Sequence, residues 1–427
     1  MDGNGENATK LLLGAHGDRF LQLQWSPAGD RIATLKSRPE GSNPPEVIET
    51  VPRTGGAGST ILSAAGVRSF CWSSDGRIIY SIEEPPPNDR DTNLWELRVD
   101  SPAAKAIGSP RRITNWAGLS LSDLSLSADS RHLVLVNAGN RRDLSVAALD
   151  GRGGLGPPRL LTLEGRNNIP STWTPDGQTL FFYSDRNGSW NIFRQSLHER
   201  SARDFVVGPG EQTEPRLSPD ASWVLYWDHV EKGGQTSAPM RLLRVPISGG
   251  VPEPVIEASR GAMVRCALGR LTCVLSEFDK ATGKLVFSAV DPLQVRKSEL
   301  VRLETHPAGS PAWDLSPDGS TVAIVDLDED QDSIRVVQLR KGSSRLISLG
   351  GSEHLSGISW SADGKGWFVT SSSVHGATIF RVSSNGEVSK LWTTSSILGV
   401  PLASPDGKNL AFTISTFNSN AWVVENF

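Results

Sequence analysis

The stretch that decides the fold is Trp173-Thr-Pro-Asp-Gly-Gln-Thr-Leu-Phe-Phe-Tyr183. Proline pre-sets φ near −65° at the second position of a turn, aspartate closes a side-chain bond onto the backbone, and glycine accepts a positive φ. Trp173 closes one apolar strand and Leu180 to Tyr183 begin another, so the phrase reads as a tight hairpin. The same phrase recurs at Trp25 (WSPAGDRIATL), Trp72 (WSSDGRIIYSI), Leu126 (LSADSRHLVLV), Leu217 (LSPDASWVLYW), Leu315 (LSPDGSTVAIV), Trp360 (WSADGKGWFVT) and Ala403 (ASPDGKNLAFT). A ninth, degenerate copy at Cys266 (CALGRLTCVLS) keeps the strands and alters the turn.

Neighbouring copies lie 47, 54, 47, 44, 49, 49, 45 and 43 residues apart. That period suits a four-stranded propeller blade of roughly 40–50 residues. Between copies, Asp185-Arg-Asn-Gly188 leads into Trp190-Asn-Ile-Phe193 as a third strand, and Pro158-Arg-Leu-Leu-Thr162 supplies a fourth. Helical periodicity never extends beyond about two turns. The expected fold is therefore all-β, a β-propeller of four-stranded antiparallel blades with about nine repeat units.

Nine blades exceed the usual four to eight of one ring. The spacing of 54 contains a long connection from Arg98 to Arg111. The preferred partition is two N-terminal blades over residues 1–112, the remnant of a preceding propeller, and a seven-bladed ring over 113–427; one large ring is the alternative. The opening Met1 to Leu12 reads as an exit turn plus a fourth strand, and Asn420 to Phe427 as a third strand with no fourth behind it. Either the N-terminal strand closes the ring, or the chain is a piece of a longer array.

Composition narrows the function. The 427 residues carry 43 basic and 47 acidic side chains, a net charge of −4 without a basic stripe, which argues against nucleic acid as a partner. No apolar run reaches the roughly 18–20 residues needed to cross a bilayer, so direct membrane insertion is not expected and the chain reads as soluble, without an address. Three cysteines, Cys71, Cys266 and Cys273, cannot build a disulfide framework or a four-ligand zinc site. Cys266 and Cys273 flank a short turn on paired strands; they are either bridged or simply two small buried residues.

Other candidate chemistry is weak. The turn aspartates Asp75, Asp129, Asp176, Asp220, Asp318, Asp363 and Asp406 could form a carboxylate ring, but each is better read as capping its own turn. Gly151-Arg-Gly-Gly-Leu-Gly156 matches a dinucleotide loop but runs into Pro157-Pro158 instead of a helix. Asp326, Asp328, Asp330 and Asp332 alternate like a calcium loop, yet Gln331 and Val337 stand where glycine and a bidentate glutamate are required. The histidines His16, His132, His198, His229, His306, His354 and His375 show no zinc-hydrolase spacing. No strand–Gly-x-Ser-x-Gly–helix elbow and no kinase phrase occur. No catalytic, cofactor-binding or metal residue is assigned, and no cofactor is expected.

The turn phrases resemble the TolB-type, WD-like propeller repeats of bacteria. Asn115-Trp-Ala-Gly118, Ser184 to Gly188, Trp313 to Gly319, Ala362 to Gly366, Asn418 to Trp422 and Glu425-Asn-Phe427 are more closely similar to the C-terminal propeller module of acidobacterial proteins with a eukaryotic-like serine/threonine kinase or winged-helix domain upstream. The resemblance covers essentially the whole chain. It departs at Ala28, which takes the aspartate position, at Ser130 and Ala221, which replace glycine, and at the whole turn after Cys266. The resemblance implies a non-catalytic binding or sensory propeller within a larger bacterial signalling protein. A protein or small-molecule ligand would engage the loop face or central channel. A periplasmic or extracytoplasmic setting follows if that protein is membrane-anchored. The alternatives are a hydrolase or lyase working at the channel rim, or a truncated frame with no role of its own. A cluster of perturbed carboxylates or histidines in the channel would favour the enzyme.

Overall fold

The computed structural model describes residues 10–38, 46–85, 91–100, 105–116, 118–150, 154–162, 166–208, 210–229, 239–268, 273–294, 296–305, 311–325, 332–350, 354–373, 376–425 and 427. The fold is all-β, with seven four-stranded antiparallel sheets and one six-stranded sheet. No helix long and apolar enough to cross a membrane occurs among these residues.

Each repeated phrase is a hairpin, and its aspartate does the local work that the turn chemistry requires. The Asp363 carboxylate accepts the Ser361 hydroxyl at 2.6 Å and the Lys365 N–H at 3.0 Å. Asp406 does the same with Ser404 and Lys408 at 2.6 and 3.1 Å. Hydrogen bonds from Ser218 and Ser222 hold the Asp220 carboxyl below its ordinary range. Asp75, Asp129, Asp176 and Asp318 repeat the bond from the hydroxyl two residues earlier. In the first copy, where Ala28 stands at the aspartate position, Asp30 takes over and accepts the Ser26 hydroxyl at 2.7 Å. Gly177, Gly364 and Gly407 take φ of 67°, 68° and 69°, and Ser130 and Ala221 are driven into the same left-handed region at 57°.

The chain forms two compact units, Met1–Gly139 with Phe417–Phe427 in one, and Asn140–Glu231 with Ser237–Thr416 in the other. In the first unit, a sheet of Arg19–Trp25, Arg31–Ser37, Glu46–Pro52 and Ser59–Ser63 is followed by one of Val67–Trp72, Arg77–Glu83, Thr92–Asp100 and Lys105–Arg112. Leu35 and Ile48 of the first pack against Phe70, Ile78 and Tyr80 of the second. On the far face of the second sheet, Cys71, Ile79 and Leu94 meet Leu121, Leu124, Leu133 and Leu135 of the third hairpin, joined by Val424 and Phe427 from the end of the chain. Residues 10–18 form no strand, so the fourth strand expected at the N-terminus is absent from the described part of that stretch.

The second unit contains six sheets in a closed circuit. Five are built from consecutive strands, beginning at Asn168, Glu211, Met263, Ala312 and His354. The sixth combines distant segments. Leu402–Ala403 pairs with the start of Asn409–Glu425, that strand neighbours His132–Ala148, and Arg159–Leu160 pairs with Ser145 and Val146 on the outer side. Leu144, Val146 and Ala411 of this closing sheet pack on Trp173, Leu180 and Phe193. Its other face places Leu410, Phe412 and Ala147 against Phe368 and Ile379. Four more apolar interfaces, centred on Tyr226, Leu275, Trp313 and Trp367, join the remaining neighbours. Indole donors add directional bonds: Trp173 Nε1 donates to the Leu402 carbonyl at 3.1 Å and Trp360 Nε1 to the Asp314 carbonyl at 3.2 Å.

This division differs from the one expected at residues 112/113. The third hairpin belongs with the first two sheets because its leucines bury against Cys71 and Leu94. The second unit closes with six sheets, its last one completed by residues following that hairpin, so a seventh hairpin is not used. The sequence gives no linker there because the chain passes between units inside two continuous 17-residue strands, His132–Ala148 and Asn409–Glu425.

Ala221 carries a side chain in a conformation that costs an L-residue about 1–2 kcal/mol. Replacing Ala221 with glycine is expected to stabilise the protein by about 1 kcal/mol in urea unfolding, after the entropy glycine adds to the unfolded chain is offset. An unchanged or lowered midpoint would show the turn is not strained.

Candidate ligand cavity

The innermost strand of each sheet in the second unit runs toward its hairpin turn. At that end, five of the six converge on a cavity of about 130 Å³. Asn168–Trp173 supplies Ser171 and Thr172, Glu211–Leu217 supplies Arg216, Met263–Cys266 supplies Arg265, and Ala312–Leu315 supplies Asp314. Leu402 and Pro405, from the last hairpin, complete the wall with Trp173 and Leu217. Two of these strands carry bulges, between Pro170 and Thr172 and between Thr213 and Arg216. A bulge inserts a residue and re-aims the side chains beyond it. In the second case Glu214 takes a φ of 50°.

The charges are unequally satisfied. Arg265 is well held: its Nη1 donates to the Val264 carbonyl at 2.9 Å and lies 3.5 Å from Glu214, while its guanidinium sits 5.5 Å from the Trp313 ring centre. Asp314 Oδ2 accepts the Trp360 N–H at 2.8 Å, and burial pushes this carboxyl above its ordinary range. Arg216 is different. Its Nε is buried with no hydrogen-bond partner. Burial, and then the like charge of Arg265, push its guanidinium down to about 9. Ser171, 1% exposed, also has a hydroxyl with no partner. Leaving such groups unmatched costs on the order of 1–3 kcal/mol each, more for a charged one.

Cys266 and Cys273 stand directly opposite in the register of their hairpin and are bridged. Of the two readings open from the sequence, the disulfide is the one the structure contains, and Cys266 lies in the cavity wall. Cys71 is free and buried, its thiol pushed up to about 12 by desolvation.

The residues singled out in the sequence lie elsewhere. The repeated aspartates each bond within their own turn, and two of them, Asp363 and Asp406 of neighbouring turns, also line one cavity with Asp150 and Arg381. Asp326, Asp328, Asp330, His306, His375 and Gly151 to Gly153 lie outside the described residues, while Asp332 accepts a bond from Ser348 at 3.4 Å. Gly154 donates to Asp150 at 2.6 Å, and a short strand, Arg159–Leu160, follows instead of a helix. His229 lies on a second strand with its Nε2 2.9 Å from the Thr213 hydroxyl, and burial lowers its pKa. Among the described residues no three His, Cys, Asp or Glu side chains gather to hold a metal. Arg216, Arg265 and Asp314 escaped notice in the sequence, although a signal exists. They occupy one position, immediately before the turn phrase, in three consecutive copies, where the other six have Gln24, Cys71, Ser125, Thr172, Ser359 and Leu402.

The fold is that of the TolB-type β-propellers. A TolB-type protein of Agrobacterium tumefaciens matches over 65% of this chain and 99% of its own, with a TM-score of 0.51 and 18% identity. TolB from Acinetobacter baumannii matches over 63% of each chain at 16% identity, with a TM-score of 0.27. By sequence, an uncharacterized protein of Agrobacterium fabrum is 24% identical over 157 residues, covering 36% of this chain and 50% of that one. The chain thus spans about half the length of this curated relative. No protein-family model matches the chain. A shared propeller scaffold by itself assigns no activity.

Thiol titration checks the bridge. In denaturant without reductant one thiol is expected to react, and three after reduction; three in both conditions would mean that Cys266 and Cys273 are not joined.

Proposed function

We propose that the second unit is a non-catalytic binding or sensory propeller that takes its ligand into the cavity at the hairpin end of its inner strands. The single observation that carries this reading is Arg216, a buried cation whose Nε lacks a partner in a cavity built by five separate sheets. A site of that kind is costly to the empty protein and repaid when a complementary group enters. The described lining contains one carboxylate, Asp314, whose Oδ2 already accepts a backbone N–H, and Ser171 faces no histidine in that lining. Neither a carboxylate pair nor a nucleophile–base pair stands among the described residues of this lining. The resemblance to propeller modules of bacterial signalling proteins agrees with a role in which occupancy of this site is relayed to a partner.

The enzyme reading draws on Asp314, whose raised pKa would suit a general acid. One experiment separates the two. The protein is screened against a metabolite library by thermal shift, and each hit is followed by NMR. The binding reading expects hits that stabilise by about 2.7 kcal/mol at a hundredfold excess over Kd, that vanish in Arg216→Ala, and that are recovered unchanged. Conversion of a hit to product would establish the rim enzyme instead, and hits unaffected by Arg216→Ala would move the site elsewhere.

A further inference from the structure

The unsatisfied groups in the cavity are not chemically neutral about what they accept. Guanidinium carries five N–H donors and no acceptor, and a buried Nε needs an oxygen in its plane. Ser171 can donate as well as accept. Of the nearby acids, Asp314 Oδ2 takes the Trp360 N–H, and Glu214, which is not part of the lining, lies 3.5 Å from Arg265 with its Oε2 making no hydrogen bond. The space therefore presents donors from Arg216 and Ser171 beside an apolar wall of Trp173, Leu217 and Leu402. A volume of about 130 Å³ holds about four waters. That is room for a small molecule, or for one terminal group of a larger one.

We infer that the cavity is a carboxylate site: it takes a small organic acid of about four to six heavy atoms, its oxygens on Arg216 and Ser171 and its short apolar tail against Trp173 and Leu402. This rests on the binding reading above and adds the class of ligand to it. A carboxylate fits better than an inorganic anion because half of the wall has no polar group to offer a tetrahedral anion's remaining oxygens. The disulfide matters here through position. Cys266 forms part of the wall, so the bridge to Cys273 fixes the strand that carries the neighbouring Arg265.

Calorimetric titration of the full chain with propionate, its neutral isostere propionamide, and inorganic phosphate tests this. Propionate is expected to bind at one site per chain, with propionamide and phosphate at least tenfold weaker. Arg216→Ala should lose propionate affinity at least tenfold. Asp314→Asn, which removes a competing negative charge yet keeps an acceptor for Trp360, should tighten it severalfold. A thermal melt matching the parent protein for each variant separates a lost site from a lost fold. Equal binding of propionamide, tighter binding of phosphate, or propionate affinity indifferent to Arg216 would overturn the carboxylate assignment. In each case, library hits that still depend on Arg216 would leave the binding reading standing, and their absence would end both.

Discussion

Each sheet of the second unit is apolar on both faces, so no sheet in it can be the last. Phe193 and Trp173 on one side of a blade demand a partner as much as Phe181 and Ile192 on the other. A stack of such sheets leaves two costly ends unless it bends round and buries the first against the last. Burying apolar surface is worth roughly 25 cal/mol per Å². That constraint explains why segments about 260 residues apart, Leu144 to Ala147 and Leu410 to Phe412, come together in one sheet. It also explains the buried bond from the Thr413 hydroxyl to the Asn168 carbonyl, which ties the two ends of the circuit at 3.2 Å.

Closure is what creates the site. A single inner strand offers one or two side chains at its hairpin end; a circuit of inner strands aims several at one small volume. Arg216, Arg265 and Asp314 occupy equivalent places on successive strands and meet only because the sheets are stacked radially. The packing that fixes the sheets also fixes the mismatch at Arg216, since the strand cannot relax to find it a partner without disturbing Leu217 and Leu225 beneath.

Much of this was legible in the residues. The serine or threonine, aspartate and glycine of the turn phrase are local, and local hydrogen bonds such as Ser361 to Asp363 carry out what the sequence implies. The blade content was equally plain, because continuous apolar runs such as Ile78 to Tyr80 or Val322 to Val325 report two-sided burial directly. The partition was not. The chain changes unit within the continuous strand His132–Ala148, where the polar stretch Asn137 to Asp143 carries no proline and no turn phrase to mark a break. The site was hidden for a related reason. Its residues are hundreds of positions apart when Leu402 is included, and what distinguishes Arg216 is the lack of a partner, a property of packing. The bridge between Cys266 and Cys273 lay between these cases: the hairpin was readable, and only the register decided it.

Native-state hydrogen exchange on the closing sheet tests closure most directly. If the distant segments complete the circuit, amides of Leu144–Ala147 and Leu410–Phe412 will exchange as slowly as those of Val322–Val325 in an internal blade, and all will respond together to added denaturant. Exchange of the closing segments that is orders of magnitude faster than the internal blade would contradict a closed ring.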